Sequence, residues 1–341
     1  ASFCDKKISI NPIQQRIIKE KLQNFSSVFP AENNKQAMYI EDSKIISNPI
    51  GTAPGFYLKK SDKLIAAFPG VPTELDKMLD DFLSKSGIKT QKKSEIHVLS
   101  VGLPESLIDQ YFSEIGNPKI SIGTIAGFGY VKLRISSESL SNNELQSIIN
   151  NHINKNELIK RSLFCFEDKK SPEEVLVNRL IENKLSLSTA ESCTGGMIGS
   201  LITSVSGASQ VYWGGVISYA NDAKQNLLKV PGEIITNKGA VSFECAEEML
   251  KGISKISNTD ISIAVTGIAG PGGGSREKPV GTVFIAMETR DYRAIYKFCY
   301  GTERNLFRRF TSYKVLSIIN EYICFGNNYY EKWPSLQDAI I

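Results

Sequence analysis

The amino-acid sequence predicts an α/β fold with a layered α/β/α domain at its C-terminal end. The first observation is the regular alternation of helical and strand patterns from Ser171 onward, which is typical of layered α/β domains. The second is an upstream segment that mixes strands and helices without that alternation, as in a small α+β module. The third is the charged run at 167–170, which marks a boundary. These patterns predict domains at residues 1–90, 91–168 and 169–323, and a tail at 324–341 with no clear element.

The first two domains are predicted from short local signals. An apolar-periodic stretch at 12–25 predicts a helix, and the apolar run at 64–68 predicts a strand. Pro69-Gly70-Val71-Pro72 then opens a helix for which Thr73 is the predicted cap. The middle module is predicted to contain strands at 96–101 and 130–135 and helices at 105–115 and 143–153.

The C-terminal domain begins with the clearest helix signal of the chain. Ser171 is a capping residue, Pro172 occupies the first turn, and Glu173 and Glu174 lie near the positive end of the helix dipole. Further strands are predicted at 185–189, 215–219, 261–266 and 282–288, and further helices at 197–205, 221–228, 242–255 and 304–323.

The composition limits the classes of function. The chain has 341 residues, 41% hydrophobic and 22% charged, as expected of a globular protein of two or three domains. Its net charge of +4 is too small for a protein that binds nucleic acid by neutralising phosphates, so we expect no nucleic-acid partner. Apolar runs stop well short of the roughly 18 residues of a membrane span, and no signal segment opens the chain. We therefore expect no membrane contact and a cytoplasmic location.

The cysteines and histidines argue against metal chemistry. The six cysteines are scattered without a CxxC pair, which predicts neither a zinc site nor a disulfide framework. The two histidines, His97 and His152, both precede the C-terminal domain. We expect neither a metal nor another cofactor, and any hydrolysis in this domain must proceed without histidine.

Ser192 and Thr194-Gly195-Gly196 lie where a predicted strand turns into a helix. At such a turn an exposed hydroxyl meets unpaired backbone N–H groups and the positive end of a helix dipole, which suit a phosphate or a developing oxyanion. The alternative is that Ser192 or Thr194 is only an N-cap and that the glycines only permit a tight turn. Cys193 is another candidate nucleophile, although no histidine is available to generate its thiolate.

Tyr219 and Lys224 form the second candidate group. Tyr219 ends a predicted strand and Lys224 follows about one helical turn later. A lysine desolvated in a pocket has a lowered pKa and can deprotonate a serine, so Ser/Lys or Ser/Tyr is the simplest activated nucleophile without histidine. The alternative is that Lys224 is a solvated surface charge.

Two further features could bind a ligand. The glycine-rich segment 266–275 follows a strand but precedes another strand, so it is neither a Rossmann fingerprint nor a P-loop. Its glycines, including Gly267 and Gly273, either bring backbone close to a ligand or form a mobile loop. Arg304 and Arg308 share one face of the last helix, as a phosphate clamp requires, or they are simply solvated.

The order of these motifs resembles the C-terminal domain of the CinA family. The resemblance covers about 150 residues and rests on Thr189-Ala190-Glu191-Ser192-Cys193-Thr194-Gly195-Gly196, Gly215-Val216-Ile217-Ser218-Tyr219, Gly239-Ala240-Val241-Ser242, Thr266-Gly267-Ile268-Ala269-Gly270-Pro271 and Lys278-Pro279-Val280-Gly281-Thr282-Val283. It implies an amidohydrolase that converts nicotinamide mononucleotide to nicotinic acid mononucleotide and ammonia in pyridine-nucleotide salvage.

The resemblance also implies roles for the candidate residues. Ser192 attacks the amide, Lys224 with Tyr219 handles the proton, and Thr266 with nearby N–H groups stabilises the oxyanion or orients the amide. The sequence leaves the choice between Lys224 and Tyr219 as general base open. The nucleotide is expected at Thr194, Gly195, Gly196, Gly267, Gly273, Arg304 and Arg308. A homodimer is also expected, as is common among CinA relatives.

The upstream segments resemble the rest of a CinA chain. Asn48-Pro49-Ile50-Gly51-Thr52-Ala53-Pro54-Gly55-Phe56 and Pro69-Gly70-Val71-Pro72-Thr73-Glu74-Leu75 are similar to the second half of a molybdopterin-binding-like α/β domain. Because the family's earlier strand and glycine-rich loop are absent, we expect this domain to be partial, in a fragment or a natural truncation. The middle module is similar to the family's KH-like domain, without a Gly-x-x-Gly loop for RNA. Alternative functions are a metal-dependent ADP-ribose pyrophosphatase and a non-catalytic nucleotide-binding protein.

Overall fold

A computed structural model describes residues 6–23, 31–88, 93–165 and 170–326. The chain divides into two compact units, Ala1–Gln91 and Lys92–Ile341, and each is described by itself. The end of the helix predicted at 12–25, most of the predicted charged boundary and the tail from residue 327 lie outside the described residues.

The first unit contains two small antiparallel sheets and two helices. Its core is formed by Ile46, Tyr57, Met78 and Phe82, which pack helix α2 against the second sheet. The elements are β1 (Ile8–Ile10), α1 (Pro12–Gln23), β2 (Met38–Ile40), β3 (Lys44–Ile46), β4 (Gly55–Lys60), β5 (Lys63–Ala67) and α2 (Pro72–Ser86). The predicted cap at Thr73 is wrong, because α2 begins one residue earlier at Pro72, whose fixed φ suits a first helical position.

The second unit begins with the middle module, an antiparallel sheet of order β7-β8-β6-β9. Its own core contains Val98, Ile108, Leu133 and Ile149. Leu99 and Val101 instead join the core of the C-terminal domain. The elements are β6 (Ser94–Val101), α3 (Glu105–Ser113), β7 (Ser121–Ala126), β8 (Tyr130–Ser137), α4 (Asn142–Ile153), α5 (Glu157–Ser162) and β9 (Leu163–Cys165).

The C-terminal domain is built on a five-stranded sheet of order β11-β10-β12-β13-β14. The three strands β11, β10 and β12 are parallel, while β13 and β14 are antiparallel. The elements are α6 (Pro172–Asn183), β10 (Leu187–Glu191), α7 (Met197–Thr203), β11 (Tyr212–Ile217), α8 (Asn221–Leu228), α9 (Gly232–Lys238), α10 (Phe243–Ser257), β12 (Ile261–Gly267), β13 (Thr282–Thr289), β14 (Arg293–Cys299) and α11 (Arg304–Phe325).

Helices cover both faces of this sheet, which confirms the predicted layered α/β/α class. Alternate side chains of a strand point to opposite faces, so Ile263 joins a core with α6, α7 and α11, whereas Ala264 joins a core with α8 and α10. The first helix begins at the predicted cap, Ser171, and the structure adds a capping box in which Ser171 and Glu174 satisfy each other's backbone N–H groups. The sequence patterns missed α9, a helix of seven residues, and β14, the strand at one edge of the sheet.

Within the described ranges, no helix is long and apolar enough to cross a membrane.

Candidate active site

The candidate site lies at the carboxyl ends of the three parallel strands. Ser192 follows β10, Ser218 follows β11, and Ile268 follows β12. Backbone hydrogen bonds hold these ends together, because Ser192 donates to Val265 and Ser218 donates to Glu191. This edge of a parallel sheet is where α/β proteins place their ligands.

Ser192 and Lys224 meet at this edge although they are 32 residues apart in the chain. Lys224 Nζ lies 3.0 Å from Ser192 Oγ. It also donates to the carbonyl oxygens of Ser218 at 2.8 Å and Tyr219 at 3.2 Å. Only 2% of Lys224 and 7% of Ser192 is exposed, so the alternative that Lys224 is a solvated surface charge is wrong.

Burial changes the acid–base behaviour of Lys224. Desolvation penalises the ammonium form, and it lowers the pKa of Lys224 from its ordinary value. No ion-pair partner for Lys224 occurs among the described residues. A buried lysine with a lowered pKa and a serine in contact has the properties of a general base next to its nucleophile.

Glu191 is a site residue that the sequence patterns missed. Its carboxylate accepts hydrogen bonds from the backbone N–H groups of Gly196 at 2.9 Å, Ile198 at 3.2 Å and Gly199 at 2.8 Å. The side chain is 2% exposed. The expectation that the Gly196 N–H group is free for a phosphate or an oxyanion is therefore wrong. An acidic residue five positions before a glycine-initiated helix is the only sequence signal for this arrangement.

The backbone after Ser192 offers two other donors. Gly195 donates its N–H to Ser192 O, whereas the N–H groups of Cys193 and Thr194 lie within reach of the Cys193 sulfur and donate to no oxygen in the described part of the chain. The Thr194 side chain is fully buried, and its hydroxyl has no partner there. Burial raises the pKa of Cys193 to about 12, so its thiol is protonated at neutral pH and unsuited to nucleophilic attack.

Tyr219 is placed differently from the prediction. Its phenol hydroxyl accepts a hydrogen bond from the Arg304 guanidinium, and the residue is 57% exposed. Only its carbonyl oxygen reaches Lys224. The structure therefore gives Lys224, and not the Tyr219 phenol, the contact with Ser192.

Thr266 is also placed differently. It is fully buried, and its hydroxyl donates to the carbonyl oxygen of Ala240 at 2.7 Å. A hydroxyl has one hydrogen, so Thr266 cannot donate to an oxyanion while this bond exists. The predicted oxyanion role of its side chain is wrong; instead it ties β12 to the turn before α10.

The two arginines of α11 reach the loops around the site. Arg308 donates to Thr194 O from Nε at 3.2 Å and from a terminal nitrogen at 2.8 Å. Arg304 donates to Gly270 O at 2.9 Å. Each guanidinium has five N–H donors, so both retain donors for an anion.

The two predicted glycines of the segment 266–275 differ in their surroundings. A Cβ atom at Gly267 would lie 3.1 Å from Cys193 Sγ and 2.8 Å from Thr282 O, so only glycine fits beside the serine turn. Gly273 is exposed with φ +86°, and a Cβ atom there would meet only Ile268 within 4 Å. The structure therefore brings Gly267 to the site, whereas the space beside Gly273 is open among the described residues except for Ile268.

No group of three or more His, Cys, Asp or Glu side chains suited to a metal occurs among the residues described.

Two relatives are similar to this chain over most of its length. A CinA-like protein from Pseudothermotoga lettingae is 34% identical over 325 residues, which cover 94% of this chain and 78% of the relative. The chain belongs to the CinA family. A second CinA-like protein, from Fervidobacterium nodosum, is 37% identical over 286 residues, which cover 83% of this chain and 68% of that relative.

The family's C-terminal domain coincides with the part of the chain that holds the site. The sequence model of the CinA C-terminal domain matches residues 169–323. Among solved structures, the competence/damage inducible protein CihA from Agrobacterium tumefaciens is 40% identical, with 44% of this chain and 94% of that chain covered and a TM-score of 0.42. The competence damage-inducible protein A from Klebsiella pneumoniae is 31% identical, with 46% and 100% covered and a TM-score of 0.44.

Proposed function

We propose that the CinA C-terminal domain of this chain is an amidohydrolase that converts nicotinamide mononucleotide to nicotinic acid mononucleotide and ammonia in pyridine-nucleotide salvage. The observation that carries this proposal is the 3.0 Å contact between buried Lys224 Nζ and Ser192 Oγ. It supplies a nucleophile and a base without histidine or metal ligands.

The hydrogen bonds of Lys224 favour its use as a base. A neutral amine has two hydrogens and one lone pair. The hydrogens are directed to the carbonyl oxygens of Ser218 and Tyr219, which leaves the lone pair for the Ser192 hydroxyl. Because burial lowers the pKa of Lys224, more of this neutral form exists near neutral pH than in a solvated lysine.

The reaction then follows a double displacement. Ser192 Oγ attacks the carboxamide carbon while Lys224 takes the hydroxyl proton, and the oxyanion forms near the N–H groups of Cys193 and Thr194. Lys224 returns the proton to the amide nitrogen, the C–N bond breaks and ammonia leaves. Water, deprotonated by Lys224, attacks the resulting ester. The bond between the acyl carbon and Ser192 Oγ breaks, Lys224 returns the proton to Ser192 Oγ, and the carboxylic acid leaves.

The nucleotide end of the substrate is assigned to the arginines. Arg304 and Arg308 retain guanidinium donors beside the turn that carries Ser192, and planar guanidinium groups suit phosphate oxygens. The helix α7 terminus is not assigned to the phosphate, since the Glu191 carboxylate occupies its N–H groups.

The test is ammonia release from nicotinamide mononucleotide by the full chain, with and without a chelator. We expect chelator-insensitive turnover that Ser192→Ala abolishes, because losing the attacking oxygen removes covalent catalysis. Ser200→Ala is the matched control, since Ser200 is an exposed serine on the adjacent helix α7. More than about a tenth of wild-type kcat in Ser192→Ala would exclude Ser192 as the nucleophile. Chelator-sensitive turnover of ADP-ribose without ammonia release would support the pyrophosphatase alternative.

A further inference from the structure

Tyr219 connects the two ends of the proposed site. Its carbonyl oxygen accepts a hydrogen bond from Lys224 Nζ at 3.2 Å, and the same nitrogen lies 3.0 Å from Ser192 Oγ. At the far end of its side chain, the phenol hydroxyl accepts a hydrogen bond from the Arg304 guanidinium. The tyrosine ring therefore lies between the reacting serine and an arginine that is assigned to the phosphate.

The proposed substrate has its groups in the same order. Nicotinamide mononucleotide carries a carboxamide at one end and a phosphate at the other, with the pyridinium ring and the ribose between them. With the carboxamide at Ser192 and the phosphate at Arg304, the middle of the substrate lies along the Tyr219 side chain. Tyr219 is 57% exposed, so its ring still has surface to bury against a ligand.

The pyridinium ring is positively charged and needs an attractive partner in this site. Arg304 and Arg308 are permanently charged guanidinium groups, which repel a cation. Glu191 is the carboxylate next to Ser192 in the chain, but it is 2% exposed and accepts hydrogen bonds from three N–H groups of the turn and α7. An aromatic face attracts a cation through its quadrupole and carries no charge of its own. The Tyr219 ring has this property.

We propose that the Tyr219 ring binds the pyridinium ring of the substrate by a cation–π contact and makes the site selective for a positively charged ring. This inference rests on the amidohydrolase function proposed above. The hydrogen bond from Arg304 holds the phenol and so orients the ring. In this role Tyr219 determines specificity and takes no part in proton transfer, since its carbonyl oxygen, and not its phenol, meets Lys224.

The test compares the binding of two nucleotides by calorimetry, with the full chain carrying Ser192→Ala so that nothing is hydrolysed. One probe is nicotinamide mononucleotide. The other is its reduced form, which keeps the carboxamide, ribose and phosphate but has a neutral dihydropyridine ring. The neutral form should bind about threefold to thirtyfold more weakly, the range of one cation–π contact. Adding Tyr219→Leu should bring the ratio of the two Kd values to about 1 or below, whereas Tyr219→Phe keeps the ring and should keep the ratio.

Trp213→Leu is the matched control, because Trp213 is an exposed aromatic residue at the opposite, amino end of β11, and it should leave the ratio unchanged. Equal Kd values for the two nucleotides in the Ser192→Ala chain would contradict the proposal before any change at Tyr219. A ratio that survives Tyr219→Leu would assign the preference to another group and overturn the proposal. Equal losses in Tyr219→Phe and Tyr219→Leu would reduce the tyrosine to a brace for Arg304 and overturn it as well.

These outcomes are separate from the fate of the amidohydrolase proposal, whose own test is ammonia release by the wild-type chain. Ammonia release together with a ratio that does not depend on Tyr219 would overturn the ring contact alone. Absence of both ammonia release and binding of either nucleotide would overturn the function and the ring contact together.

Discussion

Replacing Lys224 by methionine tests the proposed general base most directly. Methionine keeps most of the stem volume but removes the amine that lies 3.0 Å from Ser192 Oγ. We expect kcat for ammonia release to fall by about 10² to 10⁴, the usual effect of losing a general base. That loss corresponds to about 2.7 to 5.4 kcal/mol of transition-state stabilisation.

The stability of this variant should change much less than its activity. The carbonyl oxygens of Ser218 and Tyr219 each lose a hydrogen bond from Lys224, which costs about 1–3 kcal/mol for a buried acceptor left unsatisfied. Removing a desolvated ammonium group offsets part of this cost. We therefore expect Lys224→Met to fold, with a net loss of about 1–3 kcal/mol in the free energy of unfolding.

The assay measures kcat and KM separately, with unfolding followed by circular dichroism. Lys229→Met is the matched control, because Lys229 is an exposed lysine at the end of the same helix, α8. We expect a lowered kcat with little change in KM for Lys224→Met, and no change in kcat or KM for Lys229→Met. A folded Lys224→Met that retains more than about a tenth of wild-type kcat would refute the role of Lys224 as the base.

Three other predictions follow from the site. Because burial lowers the pKa of Lys224, the unfolded chain binds more protons between the lowered value and the ordinary 10.5, so stability should rise with pH there. The unfolding free energy of wild type minus Lys224→Met, from urea titrations, should increase through that window; a constant difference would contradict the lowered pKa. Arg304→Gln should raise KM for the nucleotide by about tenfold to a hundredfold and leave KM for the phosphate-free riboside unchanged. An equal rise in KM for the nucleotide and for the riboside would exclude a contact between Arg304 and the phosphate. A fragment of residues 169–323 should release ammonia. Its Tm should be lower than that of the full chain, because the Arg161–Glu321 ion pair is lost. A folded but inactive fragment would show that the site needs other parts of the protein.

The sequence by itself determined the elements that local patterns define. The bounds of α8 agree with the predicted 221–228, and the capping box at Ser171 marks the start of α6. The alternation of strands and helices was enough for the layered class. The ordered motifs also located Ser192 at a strand-to-helix turn, since a turn of this kind is specified by neighbouring residues.

Only the tertiary structure decided which side chains meet. Lys224 reaches Ser192 because β10 lies between β11 and β12 in the sheet, and strand order is not specified by hydrophobic periodicity. Tertiary packing also decided the partners of Thr266 and Tyr219. The Thr266 hydroxyl donates to the Ala240 carbonyl oxygen, and the Tyr219 phenol accepts a hydrogen bond from Arg304. Glu191 could not be assigned a role from the sequence. It is adjacent to Ser192 in the chain, but its hydrogen bonds to the first N–H groups of α7 depend on how the chain turns between Glu191 and that helix. Residue type and spacing are enough to select candidate site residues. The protonation and role of each candidate depend on its burial and its hydrogen-bond partners, and these arise only when distant segments pack together.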